Sequence, residues 1–405
     1  MLSAISKSKI IDILDKIILS CLILYAFTFL LDININFLTT AFIFGIIKLF
    51  FIRPQIKIYS KHFYFIAFFI LCTFLSVIFN DISSNLSSYK SRFISPLIGI
   101  LIIFLYQFTK KQIIIILSSF SISLLLNALI IIYQFLQGET GRLIGFASNY
   151  MLLCGINLLI LPVIYTIAIS KSNISNKLRI LYLSTILINI PAIIFENTRI
   201  VWLGLFITFS IISIISIRNK LKSLFIIILI LLSSSLIFQF SPESYQRFQS
   251  ITDTTQSTQS NYQRILMWNA SIKMFIDYPI FGIGIGNYHD KQASSYLTEE
   301  FINIPYHPHN TFLYILSESG LLGAISYISL FLYLFYNAIN NFKSTKNIIS
   351  LSYIACLIAY NINCLTDTMF CGYNIKTTTY IFWLFTGMYL ILNKQIITNY
   401  NNKDN

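Results

Sequence analysis

Charge is what this sequence has least of. Only 11% of its 405 residues are Asp, Glu, Lys or Arg, while 56% are hydrophobic. Soluble globular proteins carry about 25% charged residues, so a single water-soluble core of this length is excluded and the apolar surface must face lipid. Prolines and glycines are also few, eight and fourteen, which leaves long apolar runs uninterrupted. Those runs lack the ten-residue alternation of a transmembrane strand, which excludes a closed barrel. Six cysteines (Cys21, Cys72, Cys154, Cys356, Cys364, Cys371) are scattered, mostly inside apolar runs. With no C-x-x-C and no Cys/His spacing, no metal, redox centre or cofactor is expected. Cys364 and Cys371 both fall near the outer surface, where a disulfide between them stays open. No internal repeat is visible, nor a cleavable signal-peptide pattern; the first apolar stretch is expected to act as its own anchor.

What is present is a series of twelve apolar stretches, at 17–31, 34–52, 62–80, 93–108, 112–136, 148–170, 178–195, 199–217, 222–240, 311–339, 347–366 and 376–393. Each approaches or exceeds the ~20 residues that carry a helix across the hydrocarbon layer, the first and fourth being the shortest. The expectation is an all-α, polytopic integral membrane protein of about twelve spans. The net charge of +13 fits that picture better than it fits nucleic acid. Lys7, Lys9 and Lys16 precede the first span; Arg53, Lys57 and Lys61 follow the second; Lys110 and Lys111 follow the fourth. Further basic groups follow the sixth span (Lys171, Lys177, Arg179), the eighth (Arg218, Lys220, Lys222) and the tenth (Lys343, Lys346), and lie in the tail (Lys394, Lys403). With twelve spans all of these lie on one side, so the positive-inside rule predicts cytoplasmic N- and C-termini. The excess is a topology signal, supported by anionic membrane lipid, and no nucleic-acid partner is expected.

The chain divides into spans one to nine (1–240), one large outer loop (241–310), and the last three spans with a tail (311–405). Residues 250–260 of the loop are rich in Ser, Thr and Gln and read as flexible. From Asn261 to Tyr278, Ile265, Trp268, Ile272 and Phe275 recur at helical spacing, predicting an amphipathic helix that lies on the membrane surface. Pro279 ends it. The Gly282-x-Gly284-x-Gly286 run that follows sits outside any βαβ unit and on the wrong side for nucleotides, so close backbone packing is a better reason for its glycines than a dinucleotide.

Charges on the outer side are few, which makes each informative; they include Arg142, Arg199, Arg247, Arg264, Lys273, Lys291, Glu196, Asp367 and Glu299-Glu300, with His289, His307 and His309 in the loop. An ionisable group at a membrane boundary is a functional candidate. The densest group is His307-Pro308-His309-Asn310-Thr311. Asn310 is a suitable N-cap, which puts His309 at the outer N-terminus of a long membrane helix. That helix end attracts an anion such as phosphate and disfavours a protonated imidazole, leaving a neutral base beside an anion site. The plain structural reading, two residues capping a helix, weighs about the same on spacing alone. Arg199 either pairs with Glu196 or grips a pyrophosphate; Arg264 either stacks on Trp268 or adds a second phosphate contact; Arg142 offers a third. Glu318, farther along the same helix, is either paired with one of these arginines or part of a small-residue packing site at Ser317-Glu318-Ser319-Gly320.

The order Arg264-x3-Trp268, Pro279-x2-Gly282-x-Gly284-x-Gly286-Asn287, His309-Asn310-x2-Leu313 and Glu318-x-Gly320-x2-Gly323 resembles the signature region of the O-antigen ligase/polymerase superfamily. Thr198-Arg199 with Trp202-Leu203 is similar to that family's arginine at the head of a middle span, and the hydropathy profile matches over nearly the full length. The resemblance implies a GT-C-like membrane glycosyltransferase of lipopolysaccharide biosynthesis, embedded in the bacterial inner membrane with its site facing the periplasm. It would transfer O-antigen from undecaprenyl pyrophosphate to lipid A–core oligosaccharide, without a metal or other cofactor. On that resemblance His309 is the catalytic base, Arg199, Arg264 and Arg142 bind the pyrophosphate, and Asn310, Glu318, Trp268 and His307 support them. A polymerase that joins carrier-linked repeat units is the nearest alternative; the well-formed signature region favours the ligase. A flippase or other transporter would call for midplane charges, broken helices and symmetric halves, a pattern the outer clustering of charge argues against.

Overall fold

The computed structural model describes residues 2–31, 35–52, 60–106, 108–170, 174–249, 260–291, 296, 307–370, 372 and 376–401. The described chain is helical, with no strand among these residues. In order the helices are α1 (Leu2–Thr28), α2 (Ile35–Leu49), α3 (Ser60–Phe79), α4 (Ile82–Tyr89), α5 (Ile98–Tyr106), α6 (Lys110–Leu136), α7 (Tyr150–Ile169), α8 (Asn176–Phe195), α9 (Arg199–Ser216), α10 (Lys220–Phe240), α11 (Pro242–Gln249), α12 (Ser260–Asp277), α13 (Tyr288–Lys291), α14 (Thr311–Thr345), α15 (Ile348–Cys364) and α16 (Lys376–Asn401). A helix occupies each apolar stretch read from the sequence. Eight helical segments among the described residues are long and apolar enough to cross a membrane, and α15 is a shorter apolar helix. The protein is therefore a multi-pass membrane protein.

Local signals explain where the helices begin. Asn149, Ser175, Asn219, Asn310 and Asn347 each accept a backbone N–H from the first turn of α7, α8, α10, α14 and α15, and Thr109 with Gln112 forms a capping box at α6. The central helix is α7, of which 89% of the apolar stretch is buried; α15, α9, α8, α16 and α6 pack around it. By contrast α10 keeps only 6% of its apolar stretch buried, and leans on α8 and α9 from outside. The fourth expected span runs from Ile82 to Tyr106, longer than the sequence reading drew it. It passes through a π turn (Lys90–Ile94) and a 3₁₀ turn (Ser95–Leu97), and this irregular start brings Arg92 inside the bundle.

The glycine-punctuated run has the packing role its sequence suggested. Helix α14 breaks at Gly320, whose φ is 63°. The backbone groups this frees are taken up by the 279–286 turn: Ile283 N–H donates to Ser317 O at 3.0 Å and Gly284 N–H to Glu318 O at 3.1 Å, while Leu321 N–H donates to Pro279 O at 2.8 Å. A Cβ on Gly282 would lie 2.4 Å from the Glu318 carbonyl carbon, and one on Gly320 2.3 Å from Ile280 O. Only glycine permits this approach. A broken span is a feature the transporter alternative called for; here the break is filled by a loop of the same chain.

The amphipathic helix forms as α12, but it buries a different face. Met267, Ala270, Ser271 and Met274 are the buried positions, while Ile265, Ile272 and Ile276 stay exposed. Met274 joins Ile283, Tyr288 and Tyr314 in a small cluster against α14. The helix thus has one face for the bundle and an apolar face left outward, where a bilayer surface would meet it. Residues 250–259, Glu299, Glu300 and Cys371 lie outside the described residues.

Candidate functional site

The helix ends that meet at one face of the bundle bring the candidate residues together. Asn310 caps α14 as expected, its side chain accepting from Leu313 N–H at 3.0 Å, and it also donates to Leu365 O at 3.0 Å. Thr311 donates to Asp367 O at 2.9 Å. The indole N–H of Trp268 is spent on Pro308 O at 2.9 Å, so Trp268 ties α12 to the loop carrying the histidines. Between these anchors His309 adopts a left-handed backbone, φ 49°. For a residue with a Cβ that conformation is costly and persists because its neighbours over-determine it.

The outcome is a histidine–aspartate pair. His309 Nδ1 lies 3.3 Å from Asp367 Oδ1, with the Asp367 side chain 2% exposed and that of His309 25%. The contact does not meet hydrogen-bond geometry, so it is a close electrostatic pairing. Burial alone would raise Asp367; the hydrogen-bonding and charge of His309, with His307 beside it, outweigh that and hold its carboxyl below the usual range. His307 stacks edge-on against His309, ring centroids 4.4 Å apart. Burial pushes His307 down to about 4, so it is neutral at physiological pH. One ligand atom from each of His307, His309 and Asp367 lies within 4.8 Å of the others, a set that could hold a metal ion. Arg92 and Arg264 both press positive charge on His307, which disfavours a cation there.

Arg264 lies within electrostatic reach of this pair, and Arg142 and Arg199 within reach of Arg264. Burial lowers Arg264 from its ordinary value, with Asp367 opposing the shift and Arg142 adding to it. Arg142 stacks on Tyr150, its guanidinium carbon 3.7 Å from the ring centroid. Arg142 and Arg264 act electrostatically on Arg199, which opens α9. Like charges gathered this closely repel, a cost that an anion between them would offset. Arg199 also lines an apolar cavity of about 230 Å³ between α8, α9 and α10, with Ile190, Trp202, Leu231 and Phe238 among its walls.

Glu196 lies in the turn between α8 and α9 and is fully buried. It faces Asn157, which donates to its carboxylate at 3.1 Å. Burial pushes its carboxyl up to about 8 from 4.5, against smaller opposing contributions from Asn157, Thr198 and Arg142. Between those two values the folded chain holds a proton the unfolded chain has lost, so stability falls as pH rises through that window. Glu196→Gln should match wild type near pH 4.5. Its advantage in thermal unfolding should then widen towards pH 8.5, on the order of a few kcal/mol at full titration. A constant offset across that range would refute the assignment.

Glu318 has a partner the sequence reading did not consider. Arg92 Nη2 lies 2.8 Å from Glu318 Oε2, both side chains 1% exposed, and the guanidinium carbon sits 4.3 Å from the Tyr314 ring centroid. The other carboxylate oxygen accepts from Gly286 N–H at 3.0 Å and, more weakly, from Tyr288 N–H at 3.4 Å. Glu318 is thus a structural tie between α14, the glycine turn and the irregular start of α5. Two site-face residues escaped the motif reading. Asp367 stood among the outer charges with no motif around it; its signal was an acid in an otherwise uncharged outer loop. Arg92 fell just outside the span as drawn.

Residues 184–328 match a family model described as O-antigen ligase, which bears out the resemblance read from the signature residues. Among curated proteins, the chain is similar to a provisionally named polysaccharide ligase of Rickettsia conorii, 29% identical over 199 residues, which are 47% of this chain and 46% of that one. It is also similar to provisionally named polysaccharide ligases of Rickettsia prowazekii, at 30% over 199 residues, and Rickettsia typhi, at 28% over 198, with the same shares covered. The match spans somewhat less than half the length of these relatives.

Proposed function

We propose that this protein is an O-antigen ligase-type glycosyltransferase: it moves a polysaccharide from undecaprenyl pyrophosphate to lipid A–core oligosaccharide at the periplasmic face of the bacterial inner membrane. The observation that carries this reading is the His309–Asp367 pair beside Arg264, Arg142 and Arg199, with an apolar cavity running from Arg199 between α8, α9 and α10. A base, an anion site and an apolar cavity together suit a lipid-linked, phosphate-activated donor.

The chemistry follows from these groups. Asp367, 3.3 Å from Nδ1, favours the tautomer with its proton on that nitrogen, which leaves His309 a lone pair on Nε2. That nitrogen takes the proton of the acceptor hydroxyl as its oxygen attacks the anomeric carbon of the donor glycan. The bond between that carbon and the phosphate oxygen breaks, and its electron pair leaves on the pyrophosphate. The arginines hold the charge that develops there, taking the role a divalent cation has in many phosphate sites, so transfer should survive chelation. Asp367 positions the ring and stabilises the imidazolium that forms. With the twelve spans and cytoplasmic termini that the loop charges predict, these groups would face the periplasm.

Deleting the gene tests the reading. Lipid A–core should become bare while long glycan accumulates on its carrier, with restoration by the wild-type gene. Lipid A–core carrying a single repeat unit would identify a polymerase instead. An unchanged lipopolysaccharide profile would reject both.

A further inference from the structure

Helix α11 carries an arginine that neither the motif nor the pyrophosphate reading used. It is an eight-residue helix, Pro242–Gln249, that turns back from the end of α10 across the site face. Three contacts fasten it. Glu243 accepts from Gly141 N–H at 2.6 Å; Ser244 donates to Ile194 O at 3.1 Å; Phe248 packs on Phe238, ring centroids 5.4 Å apart. The first of these holds the residue next to Arg142. Asn197 grips the same residue, donating to Gly141 O at 2.6 Å. The last two hold α11 over the apolar cavity, which Phe248 lines together with Arg199.

Arg247 precedes Phe248 and is half-buried. Arg142 and Arg199 lie within electrostatic reach of it. Arg264 lies at the other end of the cluster, beside Asp367 and His307. Arg264 thus stands toward the histidine pair, and Arg199 and Arg247, next to Phe248, toward the cavity, with Arg142 in electrostatic reach of all three. A polyprenyl pyrophosphate runs in the same sense, from sugar through two phosphates to an apolar chain.

We infer that Arg247, with Arg199, binds the lipid-proximal phosphate of the donor where its chain enters the cavity, while Arg264 serves the sugar-linked phosphate. This assignment rests on the polyprenyl-pyrophosphate reading above and adds a division of labour within it. Arg247 grips a phosphate that bears no bond being broken, so it contributes equally to substrate and transition state, and its loss raises KM with little change in kcat. Arg264 sits where charge develops, and its loss lowers kcat.

Two lipids separate these roles without chemistry. Full-length protein in phosphatidylcholine nanodiscs is titrated with undecaprenyl phosphate and with undecaprenyl pyrophosphate. Arg247→Gln should weaken both by about ten-fold, the scale of one lost charge-assisted contact, leaving the ratio between them as in wild type. Arg247→Lys should recover part of the loss. Arg264→Gln should instead erode the preference for the pyrophosphate. Arg247→Gln that binds both probes as wild type does, or that loses only the pyrophosphate, overturns the assignment. So does displacement of both probes by added phosphatidylglycerol in wild type but not in Arg247→Gln, which would make a bilayer headgroup the ligand. Wild type that binds neither probe removes the donor reading itself, an outcome distinct from any of these.

Discussion

Replacing His309 with alanine is expected to reduce glycan transfer by about 10²–10⁴-fold, the usual contribution of a positioned general base. Donor binding and thermal stability should stay close to wild type. The stability expectation follows from its backbone: φ at this position is 49°, and alanine adopts that conformation no more readily than histidine, so no strain is relieved or added. Asn310, which caps α14, and Trp268, which holds the preceding carbonyl, are untouched. Asp367→Asn supplies the companion experiment. It keeps the shape but removes the charge that directs the Nδ1 proton, so kcat should fall while KM holds. An unchanged kcat would mean that the residue holds the loop through its backbone carbonyl, to which Thr311 donates and which asparagine retains, and does not act on the ring. Transfer at wild-type rate in His309→Ala would end its assignment as base.

The second large effect concerns stability. Arg92 and Glu318 form an ion pair with both side chains 1% exposed. Removing one partner of a buried pair leaves an uncompensated charge, and costs about 3–5 kcal/mol. Arg92→Met should destabilise the protein on that scale. Glu318→Ala should cost at least as much, because it also withdraws the acceptor for Gly286 N–H. The double variant Arg92→Met/Glu318→Leu should lie well above the sum of the singles, since two well-packed apolar groups can replace a buried pair at little net cost. Denaturation of the detergent-solubilised variants, followed by tryptophan fluorescence, measures all three. Additive single effects would show that the two charges are not paired in the folded state. The experiment also guards the functional reading: a loss of activity in Glu318 variants would reflect a loosened α14, and is no sign that Glu318 touches a substrate.

How far the sequence reaches is clear from particular residues. Asn310 caps α14 because capping depends on a residue and the three that follow it, and the spans could be located because lipid exposure imposes a composition on every stretch. The Gly282–Gly286 run read correctly as close packing, since glycine where the backbone must turn is also a local requirement. Arg142, Arg199 and Arg264 were expected to share one face, and topology alone demanded that much. Their distances from His309 were not legible.

The sequence by itself determined that this is an all-helical, multi-pass membrane protein with basic loops expected on one side and a few informative charges on the other, because hydropathy, capping and loop charge act over one span or one turn. Only the tertiary structure decided which charges meet. Arg92 reaches Glu318, Asp367 reaches His309, α11 swings Arg247 beside Arg199, and α12 buries Met267 and Met274 while its isoleucines face outward. Each of these pairings joins residues from separate helices or loops. Their partners are fixed by how helices pack across the bundle, a relation that no spacing along a single chain encodes.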